Sequence, residues 1–551
     1  EIIDPGFVKE PIRLPGTVAY NTTFDLGSVD KKPFEPPLFG VTCLGPSHGF
    51  DPIDNTSGFI LWVNKLGIMV DPPVNSTEWL IRSNVNPKVI DSIIMTHTHA
   101  DHDAGTMQKI LEGDRVTIYT TQTVMDGWLR KYSTLTGIPP KEFIQLFDFH
   151  PVMIGQKINI HGAWFEFHYS LHSLPTMGFK FFYRDKSFVY SSDHLNFPEK
   201  HKEMLEKGVI SQARYRELSA FPWDADVIYH EAGVPPLHTP VTYLNTLPIE
   251  VQKKITCYHI ARKDFPTDTN LRLATFGIAA SLIVDVPEGS FENAFRVLDI
   301  LSRVEIFQEF TLEQVRDLVA VVNSEKIPQG THIIKKGTYG DKFYVIISGQ
   351  IRIGEGGGGQ GESKRFGNYQ TFGEVSLILG KPRTADVFAE TDVEALTISK
   401  SAFLNLIEDT EIERKLKHVA MNRDMESWEA LVGTALFEKL NASQKTDLEV
   451  LLERVEVKQD RDLFKMGETL GELYIFHSGE GYLEDANGRK TSLKKGNFLG
   501  EYKEFQLGLP STTGCRLKKG ALVFRLGSEA FRKYIKKNPG VYLRFFETLT
   551  R

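Results

Sequence analysis

From Ile93 to Asp103 the chain reads Ile-Ile-Met-Thr-His-Thr-His-Ala-Asp-His-Asp, so three imidazoles and two carboxylates follow directly on an apolar run. A β-type run that belongs to a core cannot end in that much polarity at low cost unless its end opens on a cleft where something binds the side chains. His97 and His99 alternate, so on an extended segment they project to one side. Asp101 and His102 lie just beyond, where the chain can turn into a helix over Ala104 to Leu111. Imidazole and carboxylate are ligands that zinc and its neighbours prefer. One ion could take His97 and His99, and a second Asp101 and His102. The alternative is a His-rich surface loop, which the full H-x-H-x-D-H pattern after an apolar strand argues against.

The pattern resembles the metallo-β-lactamase superfamily, which completes two metal sites with three later residues. A candidate for each stands at the end of a β-type run: His172 after Trp164 to Tyr169, Asp193 in Phe-Val-Tyr-Ser-Ser-Asp, and His259 in Ile-Thr-Cys-Tyr-His. The resemblance implies that His97, His99 and His172 hold one ion, that Asp101, His102 and His259 hold the other, and that Asp193 bridges them. His161, His168 and His194 are nearby competitors. Asp71, in Ile-Met-Val-Asp-Pro-Pro, is either a partner that orients a ligand histidine or a turn residue. A further stretch, Tyr229-His-Glu-Ala-Gly233, is similar to the His-Glu-Ala-Thr motif of the tRNA-processing and phosphodiesterase branch, with Gly233 in place of Thr. By that likeness His230 faces the metals and gives a proton to the leaving oxygen, with Glu231 orienting it; a buried strand-end histidine is the plainer reading. His238 is a weaker candidate for the same place.

The second half of the chain repeats itself. Gly337-Thr-Tyr-Gly-Asp-Lys-Phe-Tyr-Val-Ile-Ile-Ser-Gly349 returns as Gly467-Glu-Thr-Leu-Gly-Glu-Leu-Tyr-Ile-Phe-His-Ser-Gly479, and each copy then reaches a Gly-Glu pair, Gly373-Glu374 and Gly500-Glu501. Each opens with a helical pattern, Leu312 to Val322 and Gln444 to Leu452, and continues as short alternating strands with glycine turns. The first copy carries a glycine-rich run, Gly354 to Gly361, expected at a hairpin tip.

Phe372 to Asp386 is similar to the phosphate cassette of cyclic-nucleotide-binding domains. By that likeness Gly373 admits a close backbone approach and Glu374 accepts from a ribose hydroxyl. Val375 and Ser376 open a short helix whose N–H groups meet the cyclic phosphate. Arg383 supplies a charged fork to the phosphate oxygens, and Ala385 leaves room. Thr384 leans toward cGMP. The second copy keeps Glu501 but has Ser511 where the first has Arg383, so it is expected to bind weakly, not at all, or to be structural, with Lys503 as a substitute cation.

The length of 551 residues requires several cores. The expected division is a metallo-β-lactamase-like αβ/βα sandwich over 1–290, then two β-roll cyclic-nucleotide-binding domains over 291–423 and 424–551. Charge is 64 basic against 71 acidic residues, a net of −7, which argues against a nucleic-acid partner. No run approaches a membrane span. Three scattered cysteines, Cys43, Cys257 and Cys515, suggest reduced thiols in the cytoplasm.

A dinuclear hydrolase head before two such modules resembles the cyclic-nucleotide-stimulated phosphodiesterases. The resemblance implies hydrolysis of cAMP or cGMP to the 5′-monophosphate. Two divalent ions, zinc before manganese or iron, would serve His230, Glu231 and Asp101 as catalytic groups. Cyclic nucleotide would be the effector, the helix-rich segment Glu411 to Phe437 the link between modules, and a homodimer the usual state. A head cleaving another phosphodiester, RNA, a lactone or a thioester is the second reading. A non-enzymatic nucleotide sensor is the third.

Overall fold

The computed structural model describes residues 34–543, except 86, 113, 288–291, 305–306, 308–309, 355–363, 368, 409, 411–412, 415, 418–419, 421–426, 435–436, 438–439, 441, 502–504 and 506–507. Most of the glycine-rich tip, about half of the link from Glu411 to Phe437 and Lys503 thus lie outside the described residues.

The head is built on two seven-stranded sheets. In the first, strands Leu66–Val70, Ile90–Ile94, Thr117–Thr120 and Asp148–Pro151 run parallel. In the second, Lys186–Tyr190, Val227–Glu231, Ile255–Tyr258 and Arg272–Leu273 do the same. The sheets face each other. Alternation sends Phe165 and Phe167 of strand Ala163–Tyr169, and Phe179 and Phe181 of strand Met177–Tyr183, to meet Phe39, Phe59 and Leu61 of the other sheet in one core. Full burial of each such ring is worth roughly 1.5–3 kcal/mol over leaving it exposed.

Helices Ser76–Arg82, Ala100–Glu112 and Gln122–Thr136 cover the outer face of the first sheet, where Trp62, Met69, Ile93 and Trp128 are buried. Val189, Ile228 and Ile255 are buried with Leu244 on the outer face of the second. Coverage on both faces explains why Gly58–Val63 is apolar throughout rather than alternating. The parallel strands of both sheets deliver their C-terminal ends to one edge, the usual place for a site in such sheets.

The repeat is a structural repeat. Each copy folds into a pair of four-stranded sheets with the same strand order. In the first copy the orders are Asn323–Ile327, Val393–Ser399, Lys342–Ser348, Thr371–Phe372 and His332–Ile334, Val387–Ala389, Ile351–Ile353, Lys364–Phe366. Helix Leu312–Val321 precedes the first copy and is started by a reciprocal Thr311–Gln314 capping box. Helix Ala442–Val450 precedes the second. Among the described residues no helix is long and apolar enough to cross a membrane. All three cysteines are buried and unpaired.

Candidate metal centre and nucleotide cassettes

The helix after the histidine cluster begins earlier than its apolar pattern suggests. It spans Ala100–Glu112, so Asp101 and His102 stand in its first turn rather than before it. The amides of His102 and Asp103 both bond to the His99 carbonyl at 3.1 Å, which closes that turn. Gly105 lets the helix sit against the Pro72 and Pro73 carbonyls, where a Cβ would meet oxygen at 2.2 Å and 2.3 Å. Asp103 faces away from the cluster. Both its oxygens take Lys131 Nζ at 2.8 Å, and burial pushes its carboxyl up to about 6 against that cation.

The seven residues expected as ligands meet at the sheet edge. His97 Nε2 and His172 Nε2 each lie 3.2 Å from His99 Nδ1, and each lies 3.7 Å from Asp193 Oδ2. On the other side of the same oxygen, His102 Nε2 and His259 Nε2 are both at 3.4 Å from Asp193 Oδ2 and at 3.8 Å and 3.7 Å from Asp101 Oδ2. These separations fit a metal site. Ligands about 2.0–2.1 Å from a tetrahedral ion stand roughly 3.3–3.4 Å apart. His102 Nε2 and His259 Nε2 are also buried without a hydrogen-bond partner, which is costly for a polar atom that nothing ligates.

Neighbours fix which ring nitrogen points inward. Thr96 Oγ1 donates to Asp71 Oδ2 at 2.6 Å and faces His97 Nδ1 at 3.0 Å, so the His97 proton belongs on Nδ1 and the Nε2 lone pair is turned to the cluster. Asp71 Oδ1 accepts from the Thr96 amide at 2.8 Å, and Oδ2 stands 3.4 Å from His102 Nδ1. Asp71 is therefore the orienting partner rather than a mere turn residue. Asp71, Ser192 and His259 hold positive φ angles of 44°, 52° and 61° at three strand ends around the site, the kind of backbone cost that surrounding structure must sustain.

Burial pushes the His97 imidazole well down and His172 down to about 4. Burial would raise Asp193, but His102, His259 and His97 outweigh it and hold the carboxylate ionised. His102 is pushed up, because Asp193 and Asp71 overcome its own burial.

His230 does not join the cluster. On strand Val227–Glu231 it has the opposite parity to Tyr229, which faces the inter-sheet core. Its ring stacks on Trp223 at 5.4 Å, with Nε2 3.0 Å from Asn196 Nδ2 and Nδ1 2.6 Å from the Glu231 carbonyl. Glu231, one residue on, turns inward. It accepts from the amides of Gly233 and Thr239 at 2.7 Å and 2.6 Å, and its Oε2 lies 3.2 Å from His238 Nδ1. His238 is thus the histidine at the ligands, with its ring 4.6 Å from His259 and 5.2 Å from His172. Gly233 stands where the motif has Thr because a Cβ there would meet His259 Nδ1 at 2.6 Å and His238 Cγ at 2.7 Å. Three other histidines serve elsewhere. His161 pairs with Asp91 at 2.9 Å, His168 is buried against Gly178, and His194 Nδ1 accepts from the Leu171 amide.

In the first tail module Gly373, at φ 93°, opens helix Glu374–Leu379. Arg383 Nη1 donates to the Gly373 carbonyl at 2.6 Å and Nη2 to the Lys342 carbonyl at 3.0 Å. Ser376 Oγ accepts from the Gly340 amide and donates to the Lys381 carbonyl. Gly373, Glu374, Val375, Ser376, Arg383, Thr384 and Ala385 all line one pocket. The sequence reading missed Gly340, which gives the guanidinium its seat, and also Trp428 and Glu449 in the pocket wall. Comparing the copies could have found Gly340, which aligns with Leu470; nothing local marks the other two.

The second cassette is built differently. Its backbone matches the first, with Gly467 N to Ser511 O and Ser511 N to Glu468 O at 2.8 Å, as Gly337 N to Arg383 O and Arg383 N to Thr338 O in the first. Glu501 there accepts from the Ser511, Thr512 and Thr513 hydroxyls at 2.6 Å, 2.8 Å and 2.8 Å. Leu470 packs against Gly500, where the first copy has Arg383 against Gly373.

The Anti-Pycsar protein Apyc1 family matches residues 39–277, and the cyclic nucleotide-binding domain family matches residues 324–410. The cGMP-dependent 3′,5′-cGMP phosphodiesterase A of Dictyostelium discoideum is 38% identical over 527 residues, covering 94% of this chain and 60% of that protein. The cAMP/cGMP-dependent 3′,5′-cAMP/cGMP phosphodiesterase B of the same organism is 38% identical over 328 residues, 59% of this chain and 30% of that protein. The chain therefore spans less than two thirds of the length of either relative. Among solved structures, a cAMP-bound PfPKA-R fragment aligns with 49% of this chain and 94% of its own at 18% identity and a TM-score of 0.27. By sequence the chain is similar to the first of these phosphodiesterases over nearly all of its own length, and to the second over more than half of it.

Proposed function

We propose that the chain is a metal-dependent 3′,5′-cyclic nucleotide phosphodiesterase, regulated by cyclic nucleotide bound in its first tail module. The observation that carries this reading is the single oxygen, Asp193 Oδ2, standing between two sets of imidazole nitrogens at metal-ligand separations. His97, His99 and His172 would hold one divalent ion, Asp101, His102 and His259 the other, with Asp193 shared. Zinc suits this nitrogen-rich donor set best, with manganese or iron as alternatives. The layered head is read as a metallo-β-lactamase sandwich over 1–290, followed by modules at 291–423 and 424–551. Its relatives' names, one of them both cAMP- and cGMP-directed, support the substrate class.

When bound, the ions supply Lewis acidity that makes water nucleophilic and neutralises phosphoryl charge. The chain supplies position and protons. Asp101, held by the Gly49 amide at 3.1 Å, orients the attacking water and receives its proton. The water oxygen bonds to phosphorus as the bond to O3′ breaks. His238, aligned by Glu231, gives its proton to O3′. This role passes from His230, the sequence candidate, to His238 because His238 lies beside the ligands. Turnover of cAMP and of cGMP, with zinc or manganese and with and without effector, tests the reading. If both nucleotides remain intact under all these conditions, the proposal fails. Arg383→Ala should abolish stimulation and spare the basal rate if effector and substrate occupy different sites.

A further inference from the structure

The pocket of the first cassette is not closed by its own module. Trp428 and Glu449 complete its wall. They stand on helices Ser427–Val432 and Ala442–Val450, whose Ala430, Leu431 and Leu448 are packed into the core of the second module. Glu449 is 1% exposed, and Ser427 Oγ donates to its Oε1 at 2.8 Å, which fixes the carboxylate's orientation. The same wall carries Ile334, Ile353 and Phe366.

We propose that Glu449, delivered by the second module, reads the base of the nucleotide held in the first cassette and selects guanine over adenine. The inference rests on the reading of that cassette as a cyclic nucleotide site. With the phosphate at Arg383 and the ribose at Glu374, the base is left for the remaining wall. Guanine presents N1–H and its 2-amino group side by side, two donors that one carboxylate accepts as a pair. Adenine presents one amino donor beside the N1 lone pair, so it makes one bond and sets a lone pair against the anion. Trp428 offers a flat apolar face on which the base stacks. The bound nucleotide then touches both modules, and guanine holds them together more firmly than adenine.

Binding of cGMP, cAMP and cIMP to the full chain, measured by calorimetry with a chelator present to prevent turnover, tests this. The component abolished by Arg383→Ala is taken as the cassette. The wild type is expected to bind cGMP on the order of ten- to a hundredfold more tightly than cAMP. cIMP, which lacks the 2-amino group, should fall between them. Glu449→Gln keeps the size and replaces one acceptor by a donor; it should weaken cGMP and bring it within a few fold of cAMP. Unchanged selectivity in a folded Glu449→Gln protein, or a wild type that prefers cAMP, overturns the inference and leaves the cassette reading standing. If Glu449→Gln does not melt cooperatively, the wild-type order decides: cIMP binding as tightly as cGMP overturns the inference. A wild type that binds none of the three, or binds them independently of Arg383, overturns both.

Discussion

Replacing Gly340 by alanine should disable the first cassette without unfolding it. A Cβ at position 340 would lie 2.4 Å from Arg383 Cζ, 2.6 Å from Nη2 and 2.7 Å from Nε. Ordinary carbon contact begins near 3.5 Å, so the guanidinium must move by about 1 Å. A free arginine would swing aside at little cost. Arg383 is pinned by its bonds to the Gly373 and Lys342 carbonyls, at 2.6 Å and 3.0 Å, so the shift breaks or bends both and misdirects the fork meant for phosphate. The loss of one charge-assisted bond, about 1.5–3 kcal/mol, sets the lower bound, or roughly a ten- to 150-fold weaker affinity. Calorimetric titration of cGMP and cAMP with a chelator present reads that change, and the melting curve reports whether the fold survives. Wild-type affinity in a folded Gly340→Ala protein would refute the reasoning, because it would mean that the guanidinium does not need that seat. Leu470 at the matching position of the second copy, opposite Ser511 instead of an arginine, is the natural form of the same exchange.

Three further outcomes follow from the head. Asp71→Asn puts an amide beside His102 Nδ1 and weakens its alignment; metal affinity, read by competition with a chromophoric chelator, should fall about ten- to a hundredfold, and an unchanged affinity would remove Asp71 from that role. His238→Ala should lower kcat on cyclic nucleotides on the order of a hundredfold or more, whereas His230→Ala should chiefly lower the melting temperature, since His230 lies under Trp223 and away from the ligands; the reverse pattern would restore the sequence assignment. Asp91→Asn tests the joint with the tail. Burial would raise Asp91, but His161 and Arg303 outweigh it and hold the carboxyl below its usual range. A depressed carboxylate stabilises above its unfolded pKa, about 3.9, and loses that contribution as pH falls through its folded value. The wild type should therefore melt above the variant at neutral pH, and the gap should close below about pH 4; a gap independent of pH would contradict this.

What the sequence could disclose depended on how local the cause was. His97, His99, Asp101 and His102 are contiguous, and a polar cluster after an apolar strand has few structural explanations. His172, Asp193 and His259 were findable because each ends its own β-type run. Parity is what separates His230 from the cluster. A motif names neighbours, but only the packing of Tyr229 into the inter-sheet core decides that Glu231 turns inward and His230 outward. His238, which lies beside the candidate ligands, sits in a loop that carries no periodic signal. In the tail, Arg383 was legible from its cassette, while Trp428 and Glu449 were not, because tertiary packing brings them from the next module.

The same non-local packing would give the proposed effector binding a physical route to the head. On helix Ala442–Val450, Asp447 and Glu449 are two positions apart and so point roughly 200° apart around the axis. Glu449 lines the pocket of the first cassette, and Asp447 reaches Lys88 Nζ of the head at 3.6 Å. The Lys88 carbonyl accepts from Arg303 Nη1 of the first module at 3.1 Å, so one short turn of the head is held from both modules. That turn leads into strand Ile90–Ile94, and the strand leads to His97. A second hold lies at the other end of the helix that carries Asp101 and His102: the Arg115 amide bonds to the Lys537 carbonyl at 3.0 Å, and Tyr542 Oη donates to Glu142 at 2.6 Å. A ligand shifts such an arrangement only by its differential affinity for the alternatives. A nucleotide that touches both modules has one, because any state in which the second module withdraws from the first loses Trp428 and Glu449 from the pocket. Stabilising that contact would set where Asp447 can stand, and with it the grip on Lys88 beneath the proposed metal ligands.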